Sequence, residues 1–128
     1  MNNFEFGEKM RARTKGFAVR IIKCYRKLPR TNEARVLGKQ LIRSGTSVAA
    51  NYRAVCRAKS GPDFVSKLGT VLEEADETLL WLELLEDSDT ASLGSMKELK
   101  HEAEELMRIF SCSLATARHS QIPKLLNS

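Results

Sequence analysis

Residues 40–57 read QLIRSGTSVAANYRAVCR. Small and apolar residues return every three to four positions, the spacing of a helix with one inward face. Carried outward, that face takes in Ala34, Leu37, Leu41, Ser44, Val48, Asn51, Val55 and Ala58, a heptad. On a wheel with Arg35 at 0° these positions centre near ~200°, while Arg35, Lys39, Arg43, Arg53 and Arg57 fall between about 0° and 80°. The helix therefore carries a core face and, nearly opposite, a basic stripe. No acid follows Glu33 in the stripe, so pairing along the helix at i,i+4 is absent. That leaves a solvated face and an external acidic partner as the two readings of the cations.

Ser44 and Asn51 fall on the core face and Ser47 adjoins them. A buried amide needs a hydrogen bond, so Asn51 is read as a register residue. Ser44, Gly45, Ala49 and Ala50 would let another helix approach closely. The competing reading is a ligand pocket around Asn51.

Upstream, Met10, Phe17, Ile21, Cys24, Tyr25 and Leu28 share one side of a helix spanning about 8–28, with Arg20, Lys23, Lys27 and Arg30 on the other. Pro29 ends it. Phe4 and Phe6 either extend this helix or pack as an arm on a neighbour. The second helix spans about 33–58, capped by Thr31 or Asn32. Ser60-Gly61-Pro62-Asp63 starts a third, about 61–86, with a stripe of Phe64, Leu68, Val71, Leu72, Ala75, Leu79 and Leu82. Leu80, Trp81 and Leu84 lie outside that stripe and are assigned to an oligomer interface, with Trp81 covering a seam inside the monomer as the alternative. Ser95 to Glu98 is a capping-box pattern opening a fourth helix, about 95–118, and residues 120–128 read as a tail that Leu125 and Leu126 would dock. The expectation is one domain, 1–128: an all-α, antiparallel up-down-up-down four-helix bundle.

Charge is divided along the chain. Residues 1–60 hold 15 Lys/Arg against three acids, a net of +12, and residues 61–128 hold six against 13, a net of −7. Such division fits a nucleic-acid partner, or basic and acidic helices pairing with each other. No apolar run is long enough to span a bilayer, and the start MNNFEFGEKM lacks the apolar core of a signal peptide, so a cytoplasmic protein without a membrane partner is expected. Cys24, Cys56 and Cys112 form no C-x-x-C and are read as buried reduced thiols; the cations beside Cys56 are able to lower its pKa, but nothing in the sequence requires a reactive thiol. His101 and His119 lie about five turns apart on one helix. No catalytic, metal or cofactor motif is present, and no enzyme is expected.

The run from Leu37 to Leu85 resembles a known family. QLIRSGTSVAANYR, the Ser60–Phe64 helix start and EEADETLLWLELL look like the four-helix bundles named after proteins encoded in intervening sequences of bacterial 23S ribosomal RNA genes. The likeness is sharpest at Ser44, Ser47, Val48 and Asn51, at Arg57 and at Phe64, and reaches the fourth helix in pattern only. Many relatives carry an acid and a glycine soon after the helix-2 asparagine. Here Arg53-Ala54-Val55-Cys56 stands there, so that acid's role does not transfer. The resemblance implies a homo-oligomer, specifically a pentameric ring. It also implies a relation to accessory proteins of diversity-generating retroelements, which associate with nucleic acid and a reverse transcriptase.

The functional expectation is a non-enzymatic homo-oligomer that binds RNA or DNA through phosphate contacts. Arg35, Lys39, Arg43, Arg53, Arg57, Arg20, Lys23, Lys27 and Arg30 are the candidate contacts. Aromatics are missing from among these cations, which argues against base stacking. The alternative is a scaffold whose basic helices pair with the acidic third helix of a neighbour or with a partner protein.

Overall fold

In a computed structural model the chain folds as four α-helices, α1 (Asn3–Arg26), α2 (Asn32–Val55), α3 (Gly61–Asp87) and α4 (Gly94–Leu126). Residues 2–126 are described, with side chains to Ser120. No strand occurs among them. Each helix packs on the next in the chain, and α1 closes against α4.

The helix starts follow local chemistry. Asn2 accepts a hydrogen bond from the Glu5 backbone N–H (2.8 Å), which sets α1 going five residues earlier than expected and makes Phe4 and Phe6 helical. Thr31 accepts from Ala34 N–H (3.2 Å) at the head of α2, and Ser60 from Asp63 N–H (3.1 Å) at the head of α3. Asp63 accepts in return from the Lys59 backbone N–H (3.0 Å) and the Lys67 ammonium (2.5 Å). These bonds hold the Asp63 carboxyl below its usual pKa.

Two expectations for α4 need correction. It begins at Gly94, with the Met96 N–H donating to Leu93 O, and no Ser95–Glu98 exchange forms among the described side chains. Leu93 packs on the core and fixes the chain's entry in place of that box. The helical backbone also runs past Arg118 to Leu126, because Pro123 removes one backbone donor without stopping the helix. The expected docking of Leu125 and Leu126 lies outside the described side chains.

One contiguous core joins the helices. Phe17 and Ile21 of α1, Leu41 and Val48 of α2, Leu68, Leu82 and Leu85 of α3, and Leu99, Leu106 and Phe110 of α4 are almost fully buried in it. On α2 the inward residues are Ala34, Gly38, Leu41, Ser44, Gly45, Val48, Tyr52 and Val55. The heptad reading thus misplaces one edge of the face. Gly38, Gly45 and Tyr52 are buried beside it, Leu37 packs on the core from the edge, and Asn51 and Ala58 are only half-buried, because α2 is flanked by α1 on one side and α3 on the other and buries a wider stripe than a two-helix seam. Gly38 and Gly45 mark the close approach to α1. A Cβ on Gly45 would stand 2.8 Å from Ile21 Cγ2, and one on Gly38 would stand 2.7 Å from Leu28 Cδ1.

Candidate nucleic-acid interface

Two of the basic half's cations pair with acids of the acidic half. Arg43 of α2 bonds to Glu77 and reaches Glu74 (3.4 Å), both on α3. Arg13 of α1 binds both oxygens of Glu102 (2.7 and 2.9 Å) and reaches Glu105 (2.9 Å), both on α4. Arg13 holds the Glu105 carboxyl below its usual range. Arg20 borders a shallow depression with Lys97, Glu98, His101, Glu102 and Glu105, so its charge sits beside acids.

The remaining candidates, Lys23, Lys27, Arg30, Arg35, Lys39, Arg53 and Arg57, are exposed and have no acidic partner among the described residues. They form two groups rather than one stripe. Lys23, Lys27, Arg30, Arg35 and Lys39 surround the short connection from α1 to α2. Arg53 and Arg57 lie at the other end of α2, about 21 Å from Lys39 along the helix axis. Some of this charge answers the negative helix ends: Lys23 lies in the last turn of α1 and Arg53 in the last turn of α2. Arg30 and Arg35 have no such role, since they flank the start of α2, whose dipole disfavours cations, and Lys39 lies beyond the first turn, out of the dipole's reach.

The polar residues of α2 separate cleanly. Ser44 is fully buried, its Oγ 3.0 Å from the Thr78 hydroxyl of α3; the single Thr78 proton is shared between Ser44 and Glu74 O (2.7 Å), and Ser44 donates to Leu41 O (3.2 Å). This is the buried polar contact between helices. Asn51 is half-buried and donates to Ser47 O (2.9 Å) on its own helix, and Ser47 is likewise half-buried. Within the chain the expected register contact from Asn51 to another helix does not form; the side-chain bond it makes is to its own helix. Sequence reasoning missed Thr78; a threonine four residues before Leu82, in an otherwise aliphatic stripe, was the available signal.

On α3, Leu80 is 47% and Leu84 37% exposed, on a face with Glu73, Asp76 and Glu83. Trp81 is half-buried against the core, its indole N–H donating to Glu77 (3.3 Å), so it covers a seam. Only Cys24 is a buried thiol; Cys56 and Cys112 are exposed. Although the residue is exposed overall, partial desolvation of its sulfur outweighs the pull of Arg11 and Arg57 and pushes the Cys56 thiol up. Tyr52, inward on α2, stacks on Phe110 (centroids 5.7 Å apart), and burial pushes its phenol up to about 12. No cluster of three or more His, Cys, Asp or Glu able to hold a metal occurs among the described residues.

No curated protein matches the chain. A solved structure is similar, with 33% identity over 85% of this chain and 97% of the other and a TM-score of 0.75. It is a protein of unknown function from the S23 ribosomal protein family of Bacteroides thetaiotaomicron. Neither comparison indicates a family of enzymes. The family model for the 23S rRNA-intervening sequence protein matches residues 9–112, from α1 well into α4 and beyond the motifs of α2 and α3. With that span and that fold, the chain belongs to the 23S rRNA-intervening sequence protein family.

Proposed function

We propose that this protein is a non-enzymatic, antiparallel up-down-up-down bundle that binds RNA or DNA through phosphate contacts. The observation that carries the reading is that seven of the candidate cations, on α1 and α2 and in the segments that follow them, are exposed and without acidic partners among the described residues, while Arg43 is paired. Packing Ile21 against Gly45 and Leu28 against Gly38 supports the antiparallel run of α1 and α2. No helix among the described residues is long and apolar enough to cross a membrane. The two basic groups, about 21 Å apart, suit a polyanion that tracks along α2. Binding through them is sequence-independent and falls steeply with salt. Anisotropy of a labelled duplex across a salt series tests this.

Self-association is the second reading, and the exposed pair Leu80 and Leu84 favours it. Unpaired acids flank these leucines, and Val36, 64% exposed, lies among the cations of α2. Apolar and charged surfaces of opposite sign on different faces of one chain suit a head-to-tail contact that closes into a ring, a pentamer in this reading. A reverse transcriptase or another partner protein would then meet the ring rather than a monomer. Leu80→Glu with Leu84→Glu should lower the mass measured by light scattering; an unchanged mass removes these residues from any interface.

A further inference from the structure

Aromatic residues absent from the basic stripe gather instead beyond the C-terminal end of α2, around Arg11 and Lys59. The first turns of α1, the end of α2, the start of α3 and the second half of α4 enclose an open cleft of about 980 Å³. Phe4, Phe6, Tyr52 and Phe64 line it together with Arg11 and Lys59. Phe4 is 76% exposed and Phe6 37%, so neither ring is used by the core. Tyr52 is held rigidly beneath by its stack on Phe110. Gly7, Ala58 and Ala117 also line the cleft and keep it wide. Its volume lies at the upper end of the roughly 300–1,000 Å³ typical of ligand clefts.

The charge around the cleft is cationic. Arg11 and Lys59 line it, and Arg57 stands exposed beside Cys56, itself a lining residue. Glu8 is the lining acid, and it already holds Arg11 at 2.9 Å. Accessible aromatic rings inside a basic rim are the arrangement that holds unpaired bases, with rings taking the base faces and cations taking the phosphates. A purely apolar peptide would cover the rings and leave Lys59 and Arg57 without partners.

We propose that this cleft stacks unpaired bases of a single-stranded nucleic acid on Phe4 and Phe6, its phosphates lying against Lys59 and Arg57. The proposal rests on the nucleic-acid reading above and adds a preference for unpaired strands that phosphate contacts alone do not give. The full chain is titrated with three labelled probes of twelve units: oligo(dT), a DNA duplex, and an abasic phosphodiester of the same charge as oligo(dT). Wild type should bind oligo(dT) more tightly than the abasic chain. Phe4→Ala with Phe6→Ala should weaken oligo(dT) binding by roughly 5- to 150-fold for each ring removed, leaving the abasic chain and the duplex unaffected. Phe4→Trp should retain wild-type binding of oligo(dT). Equal affinity for oligo(dT) and the abasic chain, or an alanine variant that binds oligo(dT) normally, overturns the stacking site while phosphate binding stands. A change of oligomer mass in the alanine variant assigns the rings to a contact between copies and overturns it too. Tighter binding of an acidic phenylalanine-rich peptide than of oligo(dT) gives the cleft to a protein partner. Failure of every nucleic-acid probe at low salt removes both this site and the reading beneath it.

Discussion

Gly45→Ala tests whether the α1–α2 approach is set by a missing side chain. The new Cβ would stand 2.8 Å from Ile21 Cγ2, 2.9 Å from its Cγ1 and 3.1 Å from its Cβ. Ile21 is fully buried, and a β-branched residue in a helix has essentially one rotamer. All three contacts lie at its branch point, so the side chain cannot swing aside and α1 must move off α2. Overpacking of this kind costs about 1–3 kcal/mol. Replacing a mid-helix glycine by alanine gains about 0.5–1 kcal/mol in opposition. Gly16→Ala isolates that gain, since nothing lies within 4 Å of a Cβ there. The two variants should therefore differ by the overpacking cost of about 1–3 kcal/mol, with Gly45→Ala the less stable. For a chain of this length that separates their melting temperatures by roughly 3–15 °C. Circular dichroism melts and urea titrations at one fixed protein concentration read the difference, the concentration being held because assembly shifts apparent stability. Ile21→Ala alone should cost about 2–5 kcal/mol, and the double variant less than the two single costs together, with a coupling of about 0.5–3 kcal/mol. If Gly45→Ala stabilises as much as Gly16→Ala, the close approach at Ile21 is not what positions α1, and the reasoning fails.

Other consequences can be measured on the same scale. Ser44→Ala and Thr78→Val should each cost about 0.5–1.5 kcal/mol in urea titrations. The double variant should cost less than their sum, because the Ser44–Thr78 bond can be removed only once; strict additivity removes it as a link between α2 and α3. Arg13 lowers the Glu105 carboxyl, so the stability this pair contributes is present above the ordinary glutamate value near ~4.3 and is lost as pH falls through the lower folded value. Melting temperatures from pH 6 to pH 3 should fall less steeply for Arg13→Met than for wild type, and parallel acid limbs would contradict this. Asn51→Leu should leave the oligomer mass and helicity unchanged, since its amide bonds only within α2; a mass change by light scattering would restore a register role.

The fold was legible because local and global signals agree. The Thr31 and Ser60 caps, Pro29 and the stripes of α3 and α4 all point to the observed helices. The start of α1 was placed too late, although Asn2 followed three residues later by Glu5 has the polar spacing of a helix cap. The α2 face was read one position off along one edge, because a heptad describes a helix with one neighbour and α2 has two. The candidate site was less legible for a different reason. A wheel shows that Arg43 is opposite the core but not that Glu77 of α3 reaches it. Nor does it show that Phe4, at the start of α1, shares a cleft with Lys59. Those placements depend on which helix ends meet, which the periodicity of one helix does not encode.

The central claim is that the unpaired cations of α1 and α2 bind phosphates. Fluorescence anisotropy of a labelled duplex, titrated at several salt concentrations from about 50 mM to 200 mM, measures this directly. Wild type should bind at the lowest salt, with log K falling linearly against log salt. Arg35→Ala with Lys39→Ala should make that slope shallower by about 2, one for each phosphate no longer neutralised, with helicity and oligomer mass unchanged. No binding at the lowest salt, or a slope that the double variant leaves untouched, contradicts the account.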